Sequence, residues 1–222
     1  MSIKKHTYTA YTLDDGANSF PLPFDVCDSH PEPLIYISAD GLSAVVSCLA
    51  LDESPADPFT EWDEGTFRQF DRSCIHYTPR PSQSAMLSII RDNPGRVFYI
   101  SSCGDGYALD SAAPLRLRDA LTVDDADGYY IVPEDATDPA SYAKGALETY
   151  SAWCSGDVYG IMSWRYIRPT QLSPWTLDED SRDTECWGFY GRAYALQELQ
   201  ALHAEAVKSL QLLPPGTPDP RD

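Results

Sequence analysis

Cysteine and histidine are the residue types in this sequence with the widest chemistry, because thiolates are nucleophiles and both side chains bind metal ions. The six cysteines are Cys27, Cys48, Cys74, Cys103, Cys154 and Cys186. No Cys-x-x-Cys pair occurs, and the cysteine and histidine closest together in the sequence are Cys74 and His76. Two ligands do not complete a tetrahedral site. We therefore predict no bound metal and no other cofactor, and we interpret the cysteines as buried, reduced thiols.

Cys186 is a candidate nucleophile within residues 186–191, Cys-Trp-Gly-Phe-Tyr-Gly. A catalytic thiol needs a neighbouring base that raises its thiolate fraction, and no histidine lies at a telling distance along the chain. Packing among the flanking aromatic residues is the favoured interpretation. The two glycines indicate a strand with a bulge or a close backbone approach, leading into the last helix.

The sequence also partly matches a second motif, the calcium-binding loop of an EF-hand. With Gly128 at its sixth position, three acids fall on ligand positions: Asp125, Asp127 and Glu134. The first position, which needs a carboxylate, falls on Val123, so an acidic turn before a strand is the favoured interpretation. Glycine-rich nucleotide loops, serine-hydrolase elbows and His-Glu-x-x-His motifs do not occur either. We predict that the protein is not an enzyme.

Acidic residues outnumber basic ones by 34 to 16, which gives a formal net charge of −18. Nucleic-acid backbones and anionic lipids repel such a chain, so we predict no direct binding to nucleic acid or membranes. Two stretches, residues 52–64 and 124–138, each hold six acids and no lysine or arginine. The candidate partner-binding residues are Asp52, Glu53, Asp57, Glu61, Asp63, Glu64, Asp124, Asp125, Asp127, Glu134, Asp135 and Asp138.

This charge is comparable to that of a short DNA duplex. A net charge of −18 matches roughly 30 Å of duplex, or about nine base pairs. A compact chain of 222 residues has a diameter of about 40 to 45 Å. The two magnitudes agree if the acids are gathered on one side, or if a homodimer extends the surface. The alternative is a dispersed charge that only keeps the protein in solution.

Short strands separated by turn residues dominate the first half of the sequence. Aromatic and β-branched content predicts strands over residues 8–13, 34–38, 44–51, 97–101 and 128–132. The dipeptide Asp40-Gly41 predicts a hairpin between the second and third of these strands. Residues 52–58, with two prolines, predict a surface loop.

Two helices are predicted in the last third of the sequence. Asp138-Pro139 is a typical helix start and Gly156 a typical stop. The apolar face between them consists of Tyr142, Leu147, Tyr150 and Trp153. Residues 192–213 carry a longer stripe that we expect to pack on a sheet, formed by Ala195, Leu199, Leu202, Ala206, Leu210 and Leu213. Together these elements predict an α+β fold, with a mostly antiparallel sheet and two main helices in the C-terminal third.

The apolar content, 43%, suffices for a hydrophobic core. We predict a single domain over residues 1–213, with a sub-boundary considered near residues 110–125, and a disordered, proline-rich tail at 214–222. The first residues lack the apolar core of a signal peptide, and no apolar run is long enough to span a bilayer. These features predict a cytoplasmic protein.

Three segments have distinctive compositions. Residues 52–63 read Asp-Glu-Ser-Pro-Ala-Asp-Pro-Phe-Thr-Glu-Trp-Asp, residues 156–160 read Gly-Asp-Val-Tyr-Gly, and residues 183–191 read Asp-Thr-Glu-Cys-Trp-Gly-Phe-Tyr-Gly. In this order they resemble the DEPxSPREWD and GDVYG…DSCWGFYG signatures of an uncharacterised family of phage, plasmid and mobile-element proteins. This chain differs at Thr184-Glu185 and by a longer stretch at 167–182. The resemblance implies a mobile-element setting and no particular reaction.

The acidity and this setting together predict a counter-defence protein of the anti-CRISPR or anti-restriction kind. Such a protein would mimic DNA and block a host nucleic-acid-handling complex, and its expected partner is a host defence nuclease or the DNA-binding subunits of one. Two alternatives stay open from the sequence. One is an enzyme with an unrecognised Cys/His site, and the other is an acidic structural or regulatory phage protein.

Overall fold

The computed structural model describes residues 11–14, 18–22, 33–61, 65–103, 106–109, 114, 126–178 and 185–212. The strands are β1 (Tyr11–Asp14), β2 (Ser19–Leu22), β3 (Leu34–Ile37), β4 (Ser43–Leu51), β5 (Thr66–Gln69), β6 (Val97–Cys103), β7 (Gly106–Leu109), β8 (Gly128–Ile131), β9 (Val158–Ile167), β10 (Thr176–Leu177) and β11 (Glu185–Tyr190). The helices are α1 (Pro58–Glu61), α2 (Gln83–Asp92), α3 (Pro139–Cys154) and α4 (Arg192–Leu212). The chain divides into two compact units: unit 1 comprises Met1–Asp52 and Val158–Asp222, and unit 2 comprises Glu53–Asp157.

Unit 1 contains an antiparallel sheet in the order β10-β9-β4-β3, in which β11 also pairs with β9. Its two longest strands, β4 and β9, pair from Ser43 opposite Ile167 to Leu51 opposite Tyr159. Seven consecutive residues of β4 are buried. Such an unbroken run is typical of a strand covered on both faces.

The two faces of this sheet bury different side chains. One face packs Val46 and Trp164 against Phe20, which belongs to the separate hairpin of β1 and β2. The opposite face packs Leu49 against Leu199 of α4. Because successive strand residues point to opposite faces, even-numbered residues of β4 and β9 meet the hairpin and odd-numbered residues meet α4.

Unit 2 contains a second antiparallel sheet, β5-β8-β6-β7, between two helices. Helix α3 packs on one face through Leu147 and Tyr150, against Tyr130 of β8. Helix α2 packs on the other face through Met86 and Ile90. Covering both faces explains why residues 97–100 of β6 and 129–131 of β8 are all apolar or aromatic.

The ends of α3 follow from its local sequence. Oδ1 of Asp138 accepts hydrogen bonds from the backbone N–H groups of Ala140 and Ser141, each at 3.2 Å, which makes Asp138 the N-cap. Pro139 takes the first helical position, where no N–H partner is needed. Gly156 follows the last turn with φ +71°, a conformation that favours glycine.

The structure confirms the α+β class, with antiparallel sheets and with the long helices α3 and α4 in the C-terminal part. The predicted hairpin joins β3 to β4. The predicted face of α3 is wrong at one position, because Tyr142 is exposed and Ala143 is buried in its place. Small Ala143 packs closely under the sheet, whereas sequence spacing alone favours the larger ring.

The prediction of a single domain over 1–213 stays a prediction, and the division between the two compact units falls between residues 52 and 53 and between 157 and 158. Most of residues 110–125 lie outside the described residues, as do residues 8–10 and the tail at 214–222. None of the helices in the described part of the chain has the length and apolarity that crossing a bilayer requires.

Candidate functional site

Three candidate acids lie together on the connection between β8 and α3: Glu134, Asp135 and Asp138, which we call the loop acids. All three are exposed. Oε1 of Glu134 accepts a hydrogen bond from Nη2 of Arg96 at 3.1 Å, while the side chain of Glu134 stays 89% exposed. A shallow, open cavity of about 360 Å³ lies beside them, lined in part by Asn93, Arg96, Glu134 and Asp135. The loop acids therefore present carboxylates to solvent, and Glu134 and Asp135 do so beside one partly buried arginine.

Asp127 lies apart from the loop acids, at the other end of β8. It is exposed and immediately precedes the strand. The four residues of β8 separate it from the loop acids by more than about 13 Å. Asp124 and Asp125 lie outside the described residues. The described acids of residues 124–138 thus form two separate groups.

The other acidic stretch, residues 52–64, contacts the C-terminal end of α3. The backbone carbonyl of Pro55 accepts a hydrogen bond from Nε1 of Trp153, in the last turn of the helix, at 3.1 Å. Glu53, two residues earlier, is exposed. Because the 16 residues of α3 extend about 24 Å, Glu53 and the loop acids lie at opposite ends of this helix.

The remaining acids of residues 52–64 differ in their surroundings. Asp52 is half-buried at the end of unit 1, where its backbone N–H donates to the carbonyl of Val158 at 2.9 Å. Glu61 is the last residue of α1. Asp63 and Glu64 lie outside the described residues.

Asp57 points into unit 2 and both of its carboxylate oxygens are engaged. Oδ1 accepts the backbone N–H of Phe59 at 2.9 Å, which starts the short helix α1. Oδ2 lies 2.9 Å from Nε2 of His76, and each of the two side chains is only 13% exposed. Since a carboxylate can only accept, Nε2 of His76 is the donor in this bond. Asp57 therefore holds an internal histidine and contributes little to an exposed acidic surface.

Aromatic rings surround His76. The ring centroids of Phe59, Phe67 and Tyr150 lie 5.6 to 5.8 Å from that of His76 in edge-on geometry. A carboxylate that fixes an imidazole is also the orienting part of hydrolytic triads, in which the imidazole activates a nucleophile. Cys74 lies two residues before His76 in the sequence, and Cys154 is hydrogen-bonded to Tyr150, whose ring contacts His76.

The cysteine environments do not favour thiolate chemistry. Partial burial raises the pKa of Cys154, and the negative potential of Cys74 and Asp57 acts in the same direction, against the hydrogen bond from Tyr150. Burial raises the pKa of Cys48 to about 12. Both thiols are therefore protonated at neutral pH, which suppresses nucleophilic attack and metal binding.

The prediction of buried, reduced thiols is only partly right. Cys48, Cys74, Cys154 and Cys186 are all free, but Cys154 and Cys186 are exposed. Cys186 lies on an edge strand and Cys154 in the last turn of a surface helix, so neither is enclosed on all sides. No group of three or more potential ligands that could hold a metal ion occurs among the described histidines, cysteines and acids.

A buried polar chain lies between the sheet of unit 1 and α4. Oγ of Ser47 is 2.8 Å from Oγ of Ser163 on the neighbouring strand and 2.9 Å from Nδ1 of His203 on the helix. Burial lowers the pKa of His203. Both serines are almost fully buried, so the chain anchors α4 and gives no substrate access. The signal in the sequence was the spacing, since His203 follows Leu199 by four residues on the apolar stripe.

The two glycine-rich signature segments meet on β9 and β11. Trp187 lies against Gly160, where a Cβ atom would collide with the indole ring. The pairing of the two strands is irregular between Cys186 and Phe189, and Gly188 between them has φ +85°. The predicted strand with a bulge is confirmed, and the glycines of both segments have a structural reason.

Comparison with protein-family models, with curated proteins and with solved structures gives no match to this chain. The resemblance to mobile-element proteins therefore stays a prediction.

Proposed function

We propose that this protein is a non-enzymatic counter-defence protein that binds and blocks a host nucleic-acid-handling complex in the cytoplasm. Carboxylates take the place of DNA phosphates in this proposal, and the partner is a defence nuclease or its DNA-binding subunit. The observation that carries the proposal is the placement of exposed acids at both ends of α3, Glu53 at one end and the loop acids at the other.

The spacing of these acids supports two contact points. The roughly 24 Å length of α3 corresponds to about seven base pairs of duplex at 3.4 Å each. Between its ends α3 exposes a mixed surface, including Lys144 and Glu148, whose charged atoms are 3.7 Å apart. A basic channel that grips two phosphate groups one half-turn or more apart would match this pattern better than a continuous acidic stripe.

Charge reversal tests the proposal in a partner-binding assay. The partner is first identified by affinity purification from the bacterial host, and its affinity is then measured at low and high salt with and without duplex DNA. We expect Glu134→Lys/Asp135→Lys to weaken binding by about tenfold. We also expect added salt to weaken binding of the unaltered protein and DNA to compete.

A matched control separates local charge from net charge. Glu198→Lys/Glu205→Lys makes the same change in net charge on α4 of unit 1, which carries none of the loop acids, and we expect a much smaller loss. Equal losses in the two variants, or binding that is insensitive to salt and DNA, would exclude a DNA-mimicking surface.

The second candidate, an enzyme with a Cys/His site, is favoured by the Asp57–His76 pair described above. The raised pKa of Cys154 opposes it. His76→Asn and Cys154→Ser provide the test, in an assay of the partner's nuclease activity with and without this protein. Loss of inhibition in either variant, with unchanged thermal unfolding, would favour this enzyme over the acidic surface.

A further inference from the structure

Trp187 is displayed on the surface of unit 1 by an arrangement that the proposed function does not use. Its side chain is 46% exposed, whereas Trp164 and Trp175 in the same unit are buried. One side of its indole lies on Gly160. Since the ring covers a position without a Cβ atom, it lies close to the backbone of β9 while remaining accessible from outside.

The geometry needs several specific residues together. Alanine at Gly160 would place a methyl group inside the indole ring. Gly188, next in sequence to Trp187, has φ +85°, which other residues rarely adopt, and the strand pairing shifts register at this point. A tryptophan that serves only the core is usually buried. Here Gly160 and the bulge at Gly188 instead hold an indole ring that is about half exposed to solvent.

The acid nearest in sequence on the same face of the strand is Glu185. It pairs with Met162 of β9, and Trp187 lies on Gly160, two residues from Met162. Alternate residues share a face of a strand, so Glu185 and Trp187 point to the same side. Glu185 is exposed. An aromatic face and a carboxylate therefore lie next to each other on this surface.

This pair of groups fits a guanidinium ion. Arginine stacks on aromatic rings and forms bidentate hydrogen bonds to a carboxylate. The protein already uses the stacking contact internally: the guanidinium carbon of Arg168 lies 4.1 Å from the ring centroid of Trp175, and that of Arg80 lies 4.6 Å from the centroid of Phe70. The net charge of −18 further favours a cationic ligand over a nucleotide.

We propose that Trp187 and Glu185 bind an arginine side chain of a partner protein. This rests on the proposed function, because a channel that holds DNA is rich in arginine. Trp187 would be the aromatic anchor of this contact.

The test uses the full-length protein with an octa-arginine peptide as the probe, and affinity is measured by titration at low and high salt. Trp187→Leu keeps an apolar contact with Gly160 but removes the aromatic face. We expect it to weaken binding by about 2- to 30-fold, the range for a cation–aromatic contact. Tyr194→Leu is the matched control, because Tyr194 is 52% exposed in the same unit and contacts Phe189 on the α4 side of β11.

The two proposals can fail separately in this experiment. Unchanged affinity of Trp187→Leu, or an equal loss in Tyr194→Leu, would overturn the arginine site and leave the acidic surface standing. Binding that needs Trp187 but ignores salt and Glu134→Lys/Asp135→Lys would support the arginine site and overturn the acidic surface. Thermal unfolding of each variant shows whether a loss reflects misfolding, and Trp187→Phe, which restores an aromatic face, should then recover binding.

Discussion

At the scale of single residues, His203 links the stability of unit 1 to pH. Its Nδ1 is hydrogen-bonded to buried Ser47, and burial lowers its pKa below the usual value of 6.5. The folded state therefore favours the neutral imidazole. Its contribution to stability is complete above the unfolded pKa and is lost as the pH falls from that value through the lower folded pKa.

We expect the melting temperature to fall between about pH 7.5 and about pH 5.5, an interval in which histidine titrates and most carboxylates do not. His203→Asn keeps a hydrogen-bond acceptor near the position of Nδ1 but cannot be protonated. Its melting temperature should therefore depend less on pH in this interval. Calorimetry of both proteins at the two pH values measures the effect, and identical dependence would show that His203 does not contribute.

The sequence predicts where the acidic residues lie along the chain, but it does not predict which of them are paired with other side chains. All twelve candidate acids looked equivalent in the sequence, yet Asp57 is paired with His76, Asp138 caps a helix and Glu134 contacts Arg96. The partner of Asp57 lies 19 residues away and the partner of Glu134 lies 38 residues away. Composition locates the charge, whereas only the tertiary structure decides which carboxylates face solvent.

At the scale of secondary-structure elements, the acids before α3 differ in their roles, because Asp138 caps the helix and Asp135 does not. Asp138→Ala removes the acceptor for two backbone N–H groups and should lower the free energy of unfolding by about 1 kcal/mol. Asp135→Ala, in the same connection, should change it by less than about 0.5 kcal/mol. Urea denaturation followed by circular dichroism measures both values. Equal stability of the two variants would contradict the capping role.

Local signals explain which elements the sequence predicted well. The limits of α3 depend on Asp138, Pro139 and Gly156, which act within one turn of the helix, so their patterns were sufficient. The pairing of β4 with β9 joins residues more than one hundred positions apart and has no local signature. Helix α2 was missed because its apolar face is short, with only Met86 and Ile90 buried.

At the scale of the whole molecule, unit 2 is inserted between two paired strands of unit 1. Leu51 pairs with Tyr159, and the backbone N–H of Asp52 donates to the carbonyl of Val158 at 2.9 Å. β4 and β9 thus form a hairpin whose connection is unit 2. Both units are acidic, because unit 2 carries 18 of the 34 acids and eight of the 16 basic residues, and unit 1 carries the rest.

This connectivity predicts that the two units can be separated. We expect a fragment of residues 53–157 to unfold cooperatively on its own, since it contains a sheet covered by helices on both faces. We also expect that Asp52 joined to Val158 through Asn-Gly gives a folded unit 1, because a two-residue turn suits paired antiparallel strands. Nuclear magnetic resonance spectra with poor dispersion for both proteins would show that the units depend on each other.

The inserted connection also sets the order in which the protein can fold during synthesis. β4 leaves the ribosome before the 105 residues of unit 2, and at typical translation rates β9 follows after about 5 to 20 s. During this interval one edge of an apolar strand has no partner, which exposes it to aggregation. Early folding of unit 2 would bring its two ends together and shorten the effective loop, at a saving of about 0.6 kcal/mol for each halving of its length. Folded unit 2 would then hold the end of β4 near the start of β9, so that these two strands can pair.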